Sequence, residues 1–295
     1  MRIATWNVNS LKARLEKVQW WIERARPDVC LLQETKLADA EAPAEAFAAA
    51  GYALAHHGEG AWNGVAIASR CGIADVVTNF GAPLAPARTP DVGDDEPMAE
   101  ARMIAAVCGG IRVVSLYAPN GRVVGSPFYQ AKLLWYERLA GWLAGSADPG
   151  APLVVGGDFN VAPEDGDVWD PAACHGGTHV SEPERAAFAR LGAWGLVDAY
   201  RLHHREPGRY TWWDYRAGNF HKNYGMRIDH LLVTKPLVPR VRWAEIDREA
   251  RKGKPTPSDH APLVIDVDEP GCPLDAGWAG ADERVAARRG KTRNA

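Results

Sequence analysis

One pattern constrains this 295-residue chain more than any other. Short β-rich runs, several of them apolar throughout, repeatedly stop at a carboxylate or an amide. The runs are residues 2–7, 29–34, 64–69, 103–107, 112–117, 153–160, 227–234 and 263–267. Continuous apolar runs of this length read as strands buried on both faces. Asn7 closes the first run, Glu34 the second, and Tyr117 the run VVSLY. Asp158 and Asn160 end LVVGGDFN, Asp229 lies inside an otherwise apolar run, and Asp259-His260 immediately precede the last. If these strands share a sheet, their polar ends meet at one rim, and loops at such rims carry chemistry.

Helical patterns lie between some of the runs. Ser10 caps a helix whose apolar positions Leu11, Leu15, Val18 and Ile22 follow the 3.6-residue period, and Pro27 ends it. Ser126 with Pro127 opens a second, with Phe128, Ala131, Trp135, Leu139 and Trp142 on one stripe. Ser181 with Pro183 opens a third that closes near Gly192. Helices and strands mixed with long loops predict an α/β sandwich rather than a strict βαβ barrel, and no Rossmann or P-loop glycine pattern is present. Residues 82–97, rich in Pro, Gly and Asp, read as a mobile surface insertion. The expected organisation is one domain over residues 1–268, followed by a partly disordered tail, 269–295.

The net charge of −3 hides an asymmetry: residues 201–254 carry 13 Lys/Arg against 6 Asp/Glu, whereas residues 85–101 are acidic. A near-neutral total therefore leaves room for a polyanion on one basic face. No apolar run reaches membrane-spanning length, and MRIATWNVNS does not read as a signal peptide. The five cysteines are odd in number and widely spaced, as expected of reduced thiols in a cytoplasmic protein.

Glu34 with Asp259 or Asp158 offers hard oxygen ligands, which suit Mg²⁺ or Mn²⁺, and no Cys/His cluster has zinc spacing. His260, beside acidic groups, reads as an imidazolium or as a general acid/base. Asn7 and Asn160 can donate to phosphate oxygens without adding negative charge. A buried Asp229 needs a partner. Taken singly, each has a bland reading: a turn, a cap, or for Glu34 a pairing with Lys36. Together they compose a phosphodiester site.

The segments ATWNVNSLKAR, LLQETKL, WNGVAI, YAPNG, GGDFNVAP, GLVDAYR, YTWWDYR, MRIDHLLV and PSDHAP carry a specific likeness. In this order the sequence resembles the exonuclease III family of the endonuclease/exonuclease/phosphatase superfamily. The resemblance implies a four-layered αββα sandwich with its site at one rim. It implies Glu34 as the principal metal ligand, Asn7 beside it, and Asp259 as a further ligand to Mg²⁺, with Mn²⁺ able to substitute. It implies catalytic roles for Asp158, Asn160, Tyr117 and His260, the last paired with Asp229. Asn9 stands where some relatives carry Asp. Trp212 and Met226 are the expected walls of a pocket for an abasic sugar, with Asn120 and Arg216 as further substrate contacts. The implied activity is Mg²⁺-dependent cleavage of DNA 5′ to abasic sites, with 3′→5′ exonuclease and 3′-phosphodiesterase activity. The implied protein is a monomer in the cytoplasm, associated with the nucleoid, whose partner is double-stranded DNA with abasic sites or blocked 3′ ends. The same chemistry also serves hydrolases of RNA or lipid headgroups, and some relatives are non-catalytic regulators. Trp212 and Trp213 among cations favour nucleic acid.

Overall fold

Side-chain alternation along the strands sorts the chain into layers. In the computed structural model, residues 1–81 and 100–269 are described, so the 82–97 stretch and nearly all of the tail lie outside the described residues. Among the described residues twelve strands form: β1 (Arg2–Asn7), β2 (Val29–Gln33), β3 (Ala53–His57), β4 (Val65–Ser69), β5 (Ala74–Thr78), β6 (Met103–Cys108), β7 (Ile111–Tyr117), β8 (Leu153–Asp158), β9 (Leu196–Asp198), β10 (Asp229–Thr234), β11 (Val241–Ile246) and β12 (Leu263–Val267). The helices are α1 (Leu11–Ala25), α2 (Ala44–Ala49), α3 (Pro127–Ser146), α4 (Pro171–Cys174), α5 (Glu182–Trp194) and α6 (Asn219–Lys222).

The strands make two six-stranded mixed sheets, ordered β11-β12-β1-β2-β4-β3 and β5-β6-β7-β8-β10-β9. Ile3, Leu31, Ile67 and Ile265 of the first sheet pack with Ile104, Val113, Val154 and Leu231 of the second. Their neighbours Ala4, Trp6, Cys30 and Leu32 point the opposite way, onto Leu11, Val18 and Ile22 of α1. On the second sheet Val114, Leu116 and Val155 meet Trp135 and Leu139 of α3 and Leu191 of α5. The result is a four-layered αββα sandwich. Close under the functional rim the inter-sheet space turns polar: Gln33 Nε2 donates to Ser115 Oγ at 3.0 Å, and Thr5 Oγ1 to Gln33 Oε1 at 3.3 Å.

Strand ends differ from the sequence expectation in ways that matter for the rim. β2 stops at Gln33 and β8 at Asp158, so Glu34 and Asn160 follow their strands, with φ 51° and 52°. Asp229, expected inside a strand, is the first residue of β10. α1 is capped as expected, Ser10 Oγ accepting from Ala13 N at 3.3 Å. α5 continues past Gly192 to Trp194, and Gly195, at φ 133°, stops it. Cys30, Cys71, Cys108 and Cys174 are free thiols. Among the described residues no helix is long and apolar enough to cross a membrane.

Candidate active site

Strand pairing assembles the rim. β1 and β2 run parallel with Asn7 opposite Gln33, one residue before Glu34. Parallel pairing of β7 and β8 puts Tyr117 beside Asp158, and antiparallel pairing of β10 puts Asp229 on its other side. The approach of β8 to β7 requires glycine at position 157, where a Cβ would lie 1.9 Å from the Leu116 carbonyl oxygen. The Asn7 amide then joins the two sheets. Its Nδ2 donates to Glu34 Oε1 at 2.7 Å and to Asp158 Oδ2 at 2.9 Å. The other Asp158 oxygen accepts from Asn160 N at 2.9 Å. His260 Nδ1 lies 2.8 Å from Asp229 Oδ2, and its Nε2 lies 3.9 Å from Asp158 Oδ2. The His260 backbone is anchored from behind: Ser258 Oγ donates to the Asn7 carbonyl at 2.7 Å and accepts from His260 N at 3.1 Å.

Burial sets the proton affinities. Asp158, Asp229 and His260 are 1%, 0% and 3% exposed. Burial pushes the Asp158 carboxyl up to about 7, reinforced by the Asp229 charge and opposed by His260. Burial alone would lower His260, but the Asp229 carboxylate, with Asp158 and Asp259, raises it to about 10, so the ring is an imidazolium at neutral pH. Burial and the neighbouring Glu34 carboxylate push the Tyr117 phenol well above its usual range, leaving a neutral O–H donor. Side-chain atoms of Glu34, Asp158 and His260 lie within 4.8 Å of one another, and with the imidazole protonated the two carboxylates are the ligands this cluster offers. Carboxylate oxygens flanked by a neutral amide, with no thiolate among them, fit a hard cation such as Mg²⁺ or Mn²⁺. The second Glu34 oxygen lies 3.1 Å from Lys36 Nζ, a pairing that the bland reading of Glu34 allowed.

The profile of the Endonuclease/Exonuclease/phosphatase family matches residues 4–260, from β1 through His260. The chain belongs to this family. One relative is the exodeoxyribonuclease III of Haemophilus influenzae, 32% identical over 278 residues that cover 89% of this chain and 98% of that protein. Among solved structures, an AP endonuclease from Archaeoglobus fulgidus matches with a TM-score of 0.83 at 37% identity, covering 91% of this chain and 100% of that one. The 3′ phosphatase NExo from Neisseria, bound to a product DNA hairpin, matches with a TM-score of 0.81 at 37% identity and the same coverage.

Around the family's rim the remaining candidates fall into different settings. Asp259 directs Oδ1 to Asn9 Nδ2 at 2.9 Å and Oδ2 to Trp212 Nε1 at 3.1 Å. The group with clustered ligand atoms contains Asp158, which the sequence offered beside Glu34, and His260, but not Asp259. Trp212 and Met226 pair through backbone bonds of 2.9 and 3.0 Å and pack, partly buried, with Ala162, Val168 and Ile228. Trp213 faces the opposite way and is fully buried. Asn120 Nδ2 donates to Asn160 Oδ1 at 3.2 Å, and Asn160 Nδ2 to the Ala118 carbonyl at 2.9 Å. Arg216, with 86% of its side chain exposed, folds back onto Asp214, its Nε 2.9 Å from Oδ1.

Ser258, whose hydroxyl accepts from the His260 backbone N–H, and the buried Lys132 and Glu184 behind Asn160 do not stand out in the sequence as site residues. For Glu184 a signal existed: Ser181 and Glu184 have the spacing of a capping box, and the box forms.

Proposed function

We propose that the protein is a metal-dependent DNA repair phosphodiesterase that incises duplex DNA 5′ to abasic sites and trims 3′ ends as an exonuclease and phosphodiesterase. The observation that carries this reading is the Asn7 amide bridging Glu34 and Asp158 beside an Asp229-paired His260. Glu34, with Asn7 beside it and Asp259 nearby, would hold Mg²⁺ or Mn²⁺. When bound, the ion supplies charge neutralisation at the phosphate.

The chain's own groups do the rest. Both Asp158 oxygens are oriented by donors, Asn7 Nδ2 and Asn160 N, and its raised pKa suits a base that takes a proton from water. His260 presents positive charge toward the phosphate, and Asp229, accepting from Nδ1, fixes the orientation of the ring. Tyr117 donates its phenol proton to a phosphate oxygen or the leaving group, and Asn160 holds the phosphate or the water. Trp212 and Met226 form a wall that accepts a flipped-out sugar without a base, and Asn120 and Arg216 meet the backbone. The protein would act as a monomer in the cytoplasm, on nucleoid DNA.

A second reading, action at 3′ ends without internal incision, is favoured by the Neisseria 3′ phosphatase, which is as identical to this chain as the AP endonuclease is. The test uses two duplexes of one sequence, one with an internal abasic analogue and one ending in a 3′-phosphate, incubated with Mg²⁺. The first reading predicts incision 5′ to the analogue, leaving a 3′-hydroxyl, and removal of the terminal phosphate. Phosphate removal with the abasic strand intact selects the second reading. Inertness on both would overturn both.

A further inference from the structure

Behind Asn160 lies a buried charge that the proposed chemistry does not use. Lys132, on α3, is fully buried and spends all three ammonium protons inside the protein. Nζ donates to the Asn160 carbonyl at 2.6 Å, to the Asn120 carbonyl at 3.3 Å, and to Glu184 Oε1. The same two carbonyls receive a second donor each from one short segment. His179 Nδ1 lies 2.6 Å from Asn160 O, and Thr178 Oγ1 lies 3.1 Å from Asn120 O. Glu184 organises that segment, its Oε1 accepting from His179 N at 3.0 Å and its Oε2 from Ser181 N at 3.2 Å. Burial and the Lys132 charge lower the His179 pKa to about 4, so the ring is neutral and Nδ1–H points at the carbonyl.

We infer that Lys132 is a positioning residue for the reaction, its buried ammonium holding the Asn160 and Asn120 backbones so that their amides sit correctly beside Asp158. The inference rests on the reading above that Asn160 belongs to the site. Asn160 has φ 52°, a left-handed conformation that an asparagine tolerates but that its surroundings must hold. Its N–H is a donor to Asp158 Oδ1 and its side chain bonds Asn120, so a shift of this turn reaches the carboxylate directly. A pair needed only to fasten α3 to α5 could be replaced by apolar side chains of similar volume. Apolar side chains cannot donate to two carbonyls at the rim.

The test compares Lys132→Met/Glu184→Gln, which removes both charges together, with Asn160→Ala and with the three substitutions combined. The double variant is expected to lower kcat roughly 10- to 100-fold, with KM within about threefold of wild type, as sub-ångström misplacement of reacting groups does. In the Asn160→Ala background the same pair should cost less than it does in the wild type, because the side-chain amide it positions is gone, although the Asn160 N–H still donates to Asp158 Oδ1. Thr178→Val, on a half-buried residue, removes a hydroxyl that bonds the Asn120 carbonyl and Glu184 Oε1, each at 3.1 Å, and leaves both charges in place. It should lower kcat about threefold at an unchanged melting temperature, which keeps the test open if the double variant does not fold. Wild-type kcat in the double variant or in Thr178→Val, or a loss that multiplies fully with that of Asn160→Ala, would overturn the positioning role. Wild-type kcat in Asn160→Ala would instead overturn the site assignment beneath it.

Discussion

Trp212 and Trp213 are adjacent, and their side chains face opposite ways. Trp213 is fully buried in the inter-sheet core, and its Nε1 donates to Asn223 Oδ1 at 3.1 Å. Trp212 is half-exposed beside Asp259. Trp213→Ala should therefore cost about 3–5 kcal/mol of stability. Trp212→Ala should cost less and should lower the preference for abasic over intact duplex. Denaturant unfolding with kcat/KM on matched duplexes checks both, and an unchanged preference in Trp212→Ala would remove the pocket wall. Glu34, Asp158 and Asn7 were legible in sequence because a polar group that ends an apolar run is conspicuous. Lys132 and Glu184 were not, since charges on amphipathic helices normally face water and only tertiary packing buries these. Arg216 was a candidate contact because it lies in a basic stretch, and position in sequence does not reveal its local partner, Asp214.

The same division appears at the level of elements. All eight strands expected from sequence form, and the four not anticipated, β3, β5, β9 and β11, are the edges of the two sheets. Central strands are covered on both faces and need continuous apolar residues. Edge strands such as Ala74–Thr78, with three exposed positions of five, do not, and their pattern fades into that of loops. Between β8, β9 and β10 the structure also closes a buried ion network. Arg227 Nε lies 2.6 Å from Asp167 Oδ1 and Nη1 2.6 Å from Asp198 Oδ2, while Arg201 also pairs with Asp167. Burial alone would raise both aspartates, but Arg227 outweighs it and holds both below the usual carboxylate range. Folded pKa values below the unfolded ones give stability that is full above roughly pH 4 and is lost as pH falls through and below that value. Arg227→Met strands a buried carboxylate and should cost about 3–5 kcal/mol at pH 7. The gap from wild type should narrow as pH drops below about 4. Urea titrations at pH 7 and pH 3 measure it, and an equal gap at both would show that the network is not the source.

For the whole molecule, two sheets face each other with strand ends aligned, and a single amide spans the gap between their carboxylates. That alignment was visible in sequence only as an ordered series of polar strand ends. Which oxygens meet could not be read there, because register and sheet order decide it. The central claim is that this rim cleaves DNA phosphodiesters with a hard cation held at Glu34. Its most direct test is the initial rate of cleavage of an end-labelled abasic duplex against free Mg²⁺, for wild type and Glu34→Gln. Cleavage should vanish in EDTA and recover with Mg²⁺ or Mn²⁺, and Glu34→Gln should show a displaced metal dependence with a rate at least about 10²-fold lower. Full cleavage in EDTA, or a wild-type metal response in Glu34→Gln, would contradict it.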